Sequence, residues 1–362
     1  MSESFDIAVV GSGAAGIAAA VSAARAGCAT LLIDCRASPG GTGGFSGLTT
    51  LCGLFDGEGR WLNDGFAREF AGTLAETPSL QMGKVWVLPY RPEKFRELAA
   101  ALLASTPNLE TRWNTPLAGV IFENNRITGL NGIHVGAVID CSGTAEVARA
   151  IGADCLATDE TTQAPAIIFS LGNVCRDWKM PASLVQVLLP LARAGLPPLS
   201  FQPSSDPDTI TVKFAGRPEQ VAEVIEVLRT QVNGFENCLA PLTEFAAAHR
   251  AGRMIIGQYV LTGADVLAGR KFHDVAARCA WPIEQWNTRG HARLRYLPEG
   301  QHYEIPARSL RAAHAQNLFM AGKVISADAD GIASARVMGC CLATGAAASR
   351  LAADWLASMN KI

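Results

Sequence analysis

No block of like charge runs through this chain. Its 31 Lys and Arg against 33 Asp and Glu leave a net charge of −2. No basic stripe gathers on any segment, which argues against a nucleic-acid partner. Phosphate binding would therefore fall to helix ends rather than to clustered Lys and Arg. No basic segment leads into an apolar run at residues 1–6, so no signal peptide is read there. Residues 7–33 are very apolar but are broken by glycines, Ser22 and Arg25, and read as buried core rather than a membrane span. None of the ten cysteines forms a CxxC pair or a zinc-like spacing. A cytoplasmic chain with free thiols is therefore expected, most of them acting as small buried hydrophobes. HExxH, P-loop and Ser-His-Asp patterns are absent too, as are tandem repeats and low-complexity linkers, and no metal is expected. With 49% apolar and 18% charged residues the chain is globular, and its 362 residues suggest two lobes.

The most informative stretch that is present is DIAVVGSGAAG at 6–16. An apolar run enters a glycine turn, a small-residue helix leaves it, and a second apolar run at 29–33 ends at Asp34. This is the strand–turn–helix–strand unit that binds an ADP moiety. Gly11 permits the sharp turn, Gly13 lets backbone approach a pyrophosphate, and Gly16 lets the helix pack on the strand. The helix N-terminus offers unpaired N–H groups to phosphate. Asp34 is placed to accept hydrogen bonds from a ribose.

Beyond it, the glycines of 35–47 predict a loop. Helices are expected at 61–74 and from Pro92 to 104, with extended chain at 85–90 between them. Strands are expected at 109–113, 117–122 and 126–132, the last two joined by a hairpin at 123–125. A buried strand at 135–140 leads into a second turn, Cys141 to Thr144, and a helix at 145–151. Further on, strands at 166–171 and 209–214 and helices at 181–193 and 219–248 suggest a second lobe. The nucleotide-binding pattern returns with a strand at 317–322 and a helix at 331–355.

Several segments in collinear order resemble one family. They are 6–16 with Asp34, GGT at 40–42, VIDCSG at 138–143, RMIIGQYVLT at 253–262, DVLAGRKF at 265–272, IPARSL at 305–310, NLFMAGKVIS at 317–326, SARVM at 334–338 and ATG at 343–345. Together they resemble the FAD-dependent oxidoreductases with the glutathione-reductase-like FAD fold, distantly related to fumarate reductase flavoproteins. Two positions depart from that pattern: Ala307 replaces an aromatic before Arg308, and Asp34 stands where Glu is commoner. The resemblance implies an α/β fold, a Rossmann-like FAD-binding domain split by an inserted α+β substrate domain. Its parts would be 1–160 (with an excursion near 80–105), 161–303 and 304–362.

The resemblance also implies FAD and roles for individual residues. Gly11, Gly13, Ala15 and Gly16 would hold the pyrophosphate, and Asp34 and Arg36 would flank the adenosine. Gly41 and Thr42 would lie against the phosphates or ribityl chain. Leu117 would offer its backbone to the adenine, and Cys141, Ser142 and Gly143 would line that side of the cleft. Gly322 would approach the ribityl chain. Ser334, Arg336, Val337 and Met338 would run past the flavin ring, with a helix starting near them that aims its positive end at the flavin N1/O2 edge.

Arg336 and Arg308 are the catalytic candidates, each able to hold a substrate carboxylate or stabilise negative charge, with a structural ion pair as the plainer alternative. Cys52, just past the glycine loop, is placed to face the substrate side, with core packing as its alternative. Cys340 and Cys341 are expected to pack, since neighbours on a helix point apart. His249 and Arg253 are expected on one helix face, meeting substrate or forming a surface pair. Trp281 and Trp286 would line an apolar substrate cavity or fill core. The leading function is an FAD-dependent oxidoreductase moving hydride or electrons between FAD and a small organic substrate. Alternatives are an FAD-dependent monooxygenase acting on a small molecule or on a residue of a partner peptide, a non-enzymatic flavin-stabilised assembly protein, and an NAD protein. The returning segments at 322 and 334–338 argue against NAD.

Overall fold

In the computed structural model, which describes residues 3–158, 163–175, 180–239, 246–248, 250–287 and 292–359, five parallel strands end in one row. Val10, at the end of Ser4–Val10, pairs with Ile33 on one side and Asp140 on the other. Ile33 pairs with Arg112, and Asp140 with Met320. The antiparallel hairpin of Val120–Glu123 and Arg126–Leu130 completes a seven-stranded sheet. Asn124 and Asn125 turn that hairpin with φ of 50° and 59°, the left-handed pair that a tight two-residue turn requires and that Asn tolerates. Ligands of parallel sheets bind beyond the carboxyl ends of the strands, so this row fixes where the site lies.

Two small-residue helices cover one face of the sheet. Ala14–Arg25 and Met338–Met359 cross so closely that a Cβ on Gly345 would lie 2.1 Å from the Ala15 carbonyl oxygen. The apolar stretch 331–355, expected as one helix, is in fact two. Ala329–Ala335 stops at Arg336, and Met338–Met359 leaves at 97°. Helical apolar periodicity continues through the break, so periodicity alone could not reveal it. Among the described residues no single helix is long and apolar enough to cross a membrane.

A separate hydrophobic cluster lies under a four-stranded sheet of Ala166–Leu171, Leu199–Pro203, Ile210–Phe214 and Ala246–Ala248. Side chains alternate along its strands. Phe169, Phe201, Val212 and Phe214 point into the cluster with Val187, Leu191, Val224 and Leu228 of the helices Met180–Arg193 and Val221–Gln231. Ile168, Gln202 and Lys213 point the other way, into the cleft that this sheet roofs.

Three further expectations are corrected. The helix expected at 219–248 ends at Gln231, Gly234 turns the chain with φ of +90°, and Ala246–Ala248 is a strand pairing with Ala166–Ile168. Pairing to an available edge here overrides the helix propensity of alanine. The helix expected at 61–74 is Phe66–Leu74, because Trp61 bridges to Phe55 and Gly65 adopts φ of +74°. Finally, Cys279 and Cys340 are joined as a disulfide with Cα atoms 6.2 Å apart, and the other eight cysteines are free. A 61-residue separation carries no pairing pattern; packing of the strand Val275–Cys279 on the helix Met338–Met359 brings the two together.

Candidate active site

The glycine turn forms one end of a cleft of about 540 Å³. Gly11 has φ of +97°, and a Cβ there would lie 2.6 Å from the Cys141 carbonyl oxygen. A Cβ on Gly16 would lie 1.7 Å from the Gly11 carbonyl oxygen. Both positions are therefore closed to any side chain. Gly13 is different: nothing lies within 4 Å of where its Cβ would point, and it caps the twelve-residue helix Ala14–Arg25. An anion-sized space thus faces the free N–H groups of a helix start.

Two buried or half-buried aspartates brace this end. Asp34 Oδ2 accepts from the Ser12 N–H and Oγ–H, both at 2.6 Å, and Oδ1 accepts from the Arg36 N–H at 2.8 Å. Asp140 Oδ1 accepts from the Ser142 N–H at 3.0 Å and Oγ–H at 2.6 Å, while Oδ2 accepts from the Val147 N–H at 3.0 Å. Burial pushes the Asp140 carboxyl up, against the pull of these hydrogen bonds.

The other end is built from side chains. Lys213 of the roof, Arg250 and Arg336 converge there around one carboxylate, Glu284, on the strand Ile283–Trp286, while Lys323 lines the cleft nearer Gly143. Glu284 pairs with Lys213 Nζ at 3.4 Å and accepts from the indole N–H groups of Trp281 at 3.1 Å and Trp286 at 2.6 Å. Burial alone would raise its carboxyl, but Lys213, the Trp286 N–H, Arg336 and Arg250 outweigh it and draw it down to about 2. Glu284 is therefore a fixed anion and a poor proton acceptor. Arg336 donates to Gln163 Oε1 at 2.9 Å and, at longer range, to the backbone carbonyls of Arg250 and Glu284. Lys213 and Arg250 both pack on the Trp286 indole, 4.8 and 4.7 Å from its centroid. Burial, with Arg336 nearby, lowers Arg250 to about 10; burial also lowers Arg336 and Lys323.

Of the residues anticipated for the cofactor, Gly11, Gly13, Ala15, Asp34, Arg36, Gly41, Thr42, Leu117, Cys141, Ser142, Gly143, Gly322, Val337 and Met338 line this cleft. Gly16 lies beneath the turn. Ser334 lies behind the wall, fully buried, donating to the Trp281 carbonyl oxygen at 2.5 Å and sharing a hydrogen bond with Tyr303. Arg336 and Cys52 reach the cleft. Burial and then Glu284 push the Cys52 thiol up to about 12, so it stands there as neutral SH. Arg308 does not reach the cleft. It pairs with Asp274 at 3.0 Å, with its side chain 39% exposed, and stacks over Tyr259. Trp281 lines the cleft and Trp286 backs it. Arg253 lies on the strand Gly252–Ile255 rather than a helix, and His249 falls outside the described residues. No group of three or more potential metal-ligating side chains occurs among the described residues.

Sequence reasoning missed Lys213, Arg250, Glu284, Lys323 and Gln202. Only Lys213 left a usable trace, as a lysine between Val212 and Phe214 in a strand that also carries Ile210. Such a charge must face away from the core its neighbours enter.

The cleft fits an ADP-bearing cofactor at the Gly13 end, because a side chain there would occupy the space that faces the helix start. A family model described as FAD dependent oxidoreductase matches residues 6–199 and 191–361. No curated protein sequence matches the chain. Among solved structures, the chain is similar to a geranylgeranyl bacteriochlorophyll reductase-like protein from Thermoplasma acidophilum, at 14% identity over 99% of this chain and 79% of that one, with a TM-score of 0.52. It is similar to GidA from Aquifex aeolicus at 14% identity over 98% of this chain but only 64% of GidA, with a TM-score of 0.54. A triple mutant of the flavin-dependent brominase Bmp2 matches at 11% identity over 99% and 81%, with a TM-score of 0.50. At these identities the likeness is one of fold.

Proposed function

The chain belongs to the FAD dependent oxidoreductase family, and from that premise we propose that this enzyme exchanges hydride or electrons between FAD, lying along the cleft, and a small organic substrate under the roof sheet. One observation carries the reading: a single cleft joins the Gly13 turn to the Glu284 pocket. In this reading the start of Ala14–Arg25 holds the pyrophosphate, Asp34 and Arg36 flank the adenosine, and Gly322, Val337 and Met338 border the flavin ring.

When bound, FAD would supply the acceptor for a hydride from a substrate C–H bond. The chain's own residues do the rest. The Met338 end of the helix Met338–Met359 is part of the cleft wall, and its positive dipole end favours the negative charge that accumulates on reduction. Arg336, the permanently charged residue beside it, adds to that stabilisation. The neutral Cys52 thiol and the indole of Trp281 wall the space against water.

Anaerobic mixing of the purified enzyme with a panel of organic substrates, NADH and NADPH tests this, followed by reoxidation with oxygen. Bleaching of the flavin by an organic compound without nicotinamide is expected. Bleaching by NADH or NADPH alone, with substrate hydroxylated on adding oxygen, would make the protein a monooxygenase instead. A flavin that no reductant in the panel bleaches would leave an assembly role.

A further inference from the structure

The geometry points to an organic acid as the substrate: its carboxylate sits against Arg250 and Arg336, and an O–H or N–H on the same molecule is received by Gln202. This rests on the FAD reading above. The first ground is charge. Three cations, Lys213, Arg250 and Arg336, line this end of the cleft against the single carboxylate of Glu284. That carboxylate is already engaged by Lys213 and two indoles. Among the described residues Arg250 and Arg336 have no ion-pair partner within 4 Å. Half-buried cations without anions are costly. Reduced flavin would offset about one of these charges, and the pyrophosphate belongs at the Gly13 end. A bound anion is the remaining source of compensation.

The second ground is an orphaned acceptor. Gln202 lines the cleft from the roof, and its buried Oε1 has no hydrogen-bond partner. A buried acceptor left unmet is unfavourable, and a ligand O–H or N–H would meet it. The third ground is the wall. Trp281 in the lining and Trp286 behind Lys213 and Arg250 present indole surface, which suits a hydrocarbon skeleton better than a bare inorganic anion.

The test titrates the holoenzyme with propionate, lactate, propionamide and inorganic phosphate at matched ionic strength. Binding is read by flavin absorbance and by tryptophan fluorescence. Propionate is expected to bind about 30-fold tighter than propionamide, the scale of a hydrogen-bonded charge contact. Lactate is expected to bind about fivefold tighter than propionate, the scale of one neutral hydrogen bond. Arg250→Met should weaken both acids about 30-fold with flavin content unchanged, and Arg250→Lys should recover part of the loss. Gln202→Met should erase the advantage of lactate over propionate. An amide that binds as well as its acid, phosphate that binds tighter than either acid, or Arg250 variants that keep full FAD and full acid affinity would overturn the assignment. Flavin content, measured separately by release, tells a failure of the FAD reading from a failure of this one, since the fluorescence arm reads the acid without flavin.

Discussion

The two ends of the cleft are built by opposite means. At the Gly13 end the work is done by backbone: a helix start, a glycine with open space before it, and two aspartates whose carboxylates brace the turns. At the Glu284 end it is done by side chains drawn from distant points of the sequence, three of them cationic. Backbone N–H groups fit any dinucleotide phosphate, so the first end can serve many proteins unchanged. Side chains can be exchanged singly, so in the proposed function the second end is where a substrate would be chosen.

The sharpest way to break this comparison is to place a side chain at the backbone end. Gly13→Val fills the open space before the helix start, and FAD content should fall at least about tenfold, the loss expected when backbone can no longer approach the phosphates. Circular dichroism should show the fold retained, because nothing in the chain lies within 4 Å of the new Cβ. Normal flavin content would remove the phosphate role of the turn.

At the side-chain end, Arg336→Met keeps length and removes charge. Flavin content should stay near normal while reduction by substrate slows by about one to three decades, or ~1.5–4 kcal/mol of lost electrostatic stabilisation. Stopped-flow reduction measures it. Unchanged kinetics with full FAD would move the role to Arg250 and Lys213.

Glu284 sharpens the comparison through pH. Its carboxyl is held at about 2 against an ordinary 4.5. A carboxyl lowered on folding contributes stability that is fully present above its unfolded value and is lost as pH falls through its folded one. The contribution amounts to at most about 3 kcal/mol. Thermal melts of the wild type should therefore decline between pH 5 and pH 2 more steeply than those of Glu284→Gln, which should be destabilised at pH 7. Parallel curves would show that Lys213 and the indoles do not hold the carboxylate.

The smallest effect belongs to Arg308, which lies away from the cleft in an exposed pair with Asp274. Arg308→Met should leave flavin content, reduction rate and acid binding unchanged, since exposed pairs contribute little. A tenfold fall in reduction rate would place it in the site after all.

How much could be read in advance follows the same division. The turn at 11–16, Asp34 and the strand at 135–140 announce themselves because glycine and Asp are required there by backbone geometry. The hairpin at Asn124 and Asn125 and the strand Ala166–Leu171 were legible for similar local reasons. Where tertiary pairing decides, local pattern failed. Ala246–Ala248 reads as helix until the edge of Ala166–Leu171 is seen. The bend after Arg336 is hidden within continuous apolar periodicity. Cys279 and Cys340 have no spacing to betray them. Arg250 and Lys323 gave no warning either, since nothing in their neighbours' identities says what they will face.

Every role proposed for the cleft depends first on a cofactor at the backbone end. Heat or acid release from the purified protein, followed by chromatography, tests it most directly. FAD in equimolar amount with the chain is the expected result. NAD(H), or no nucleotide even after reconstitution with FAD, would contradict it.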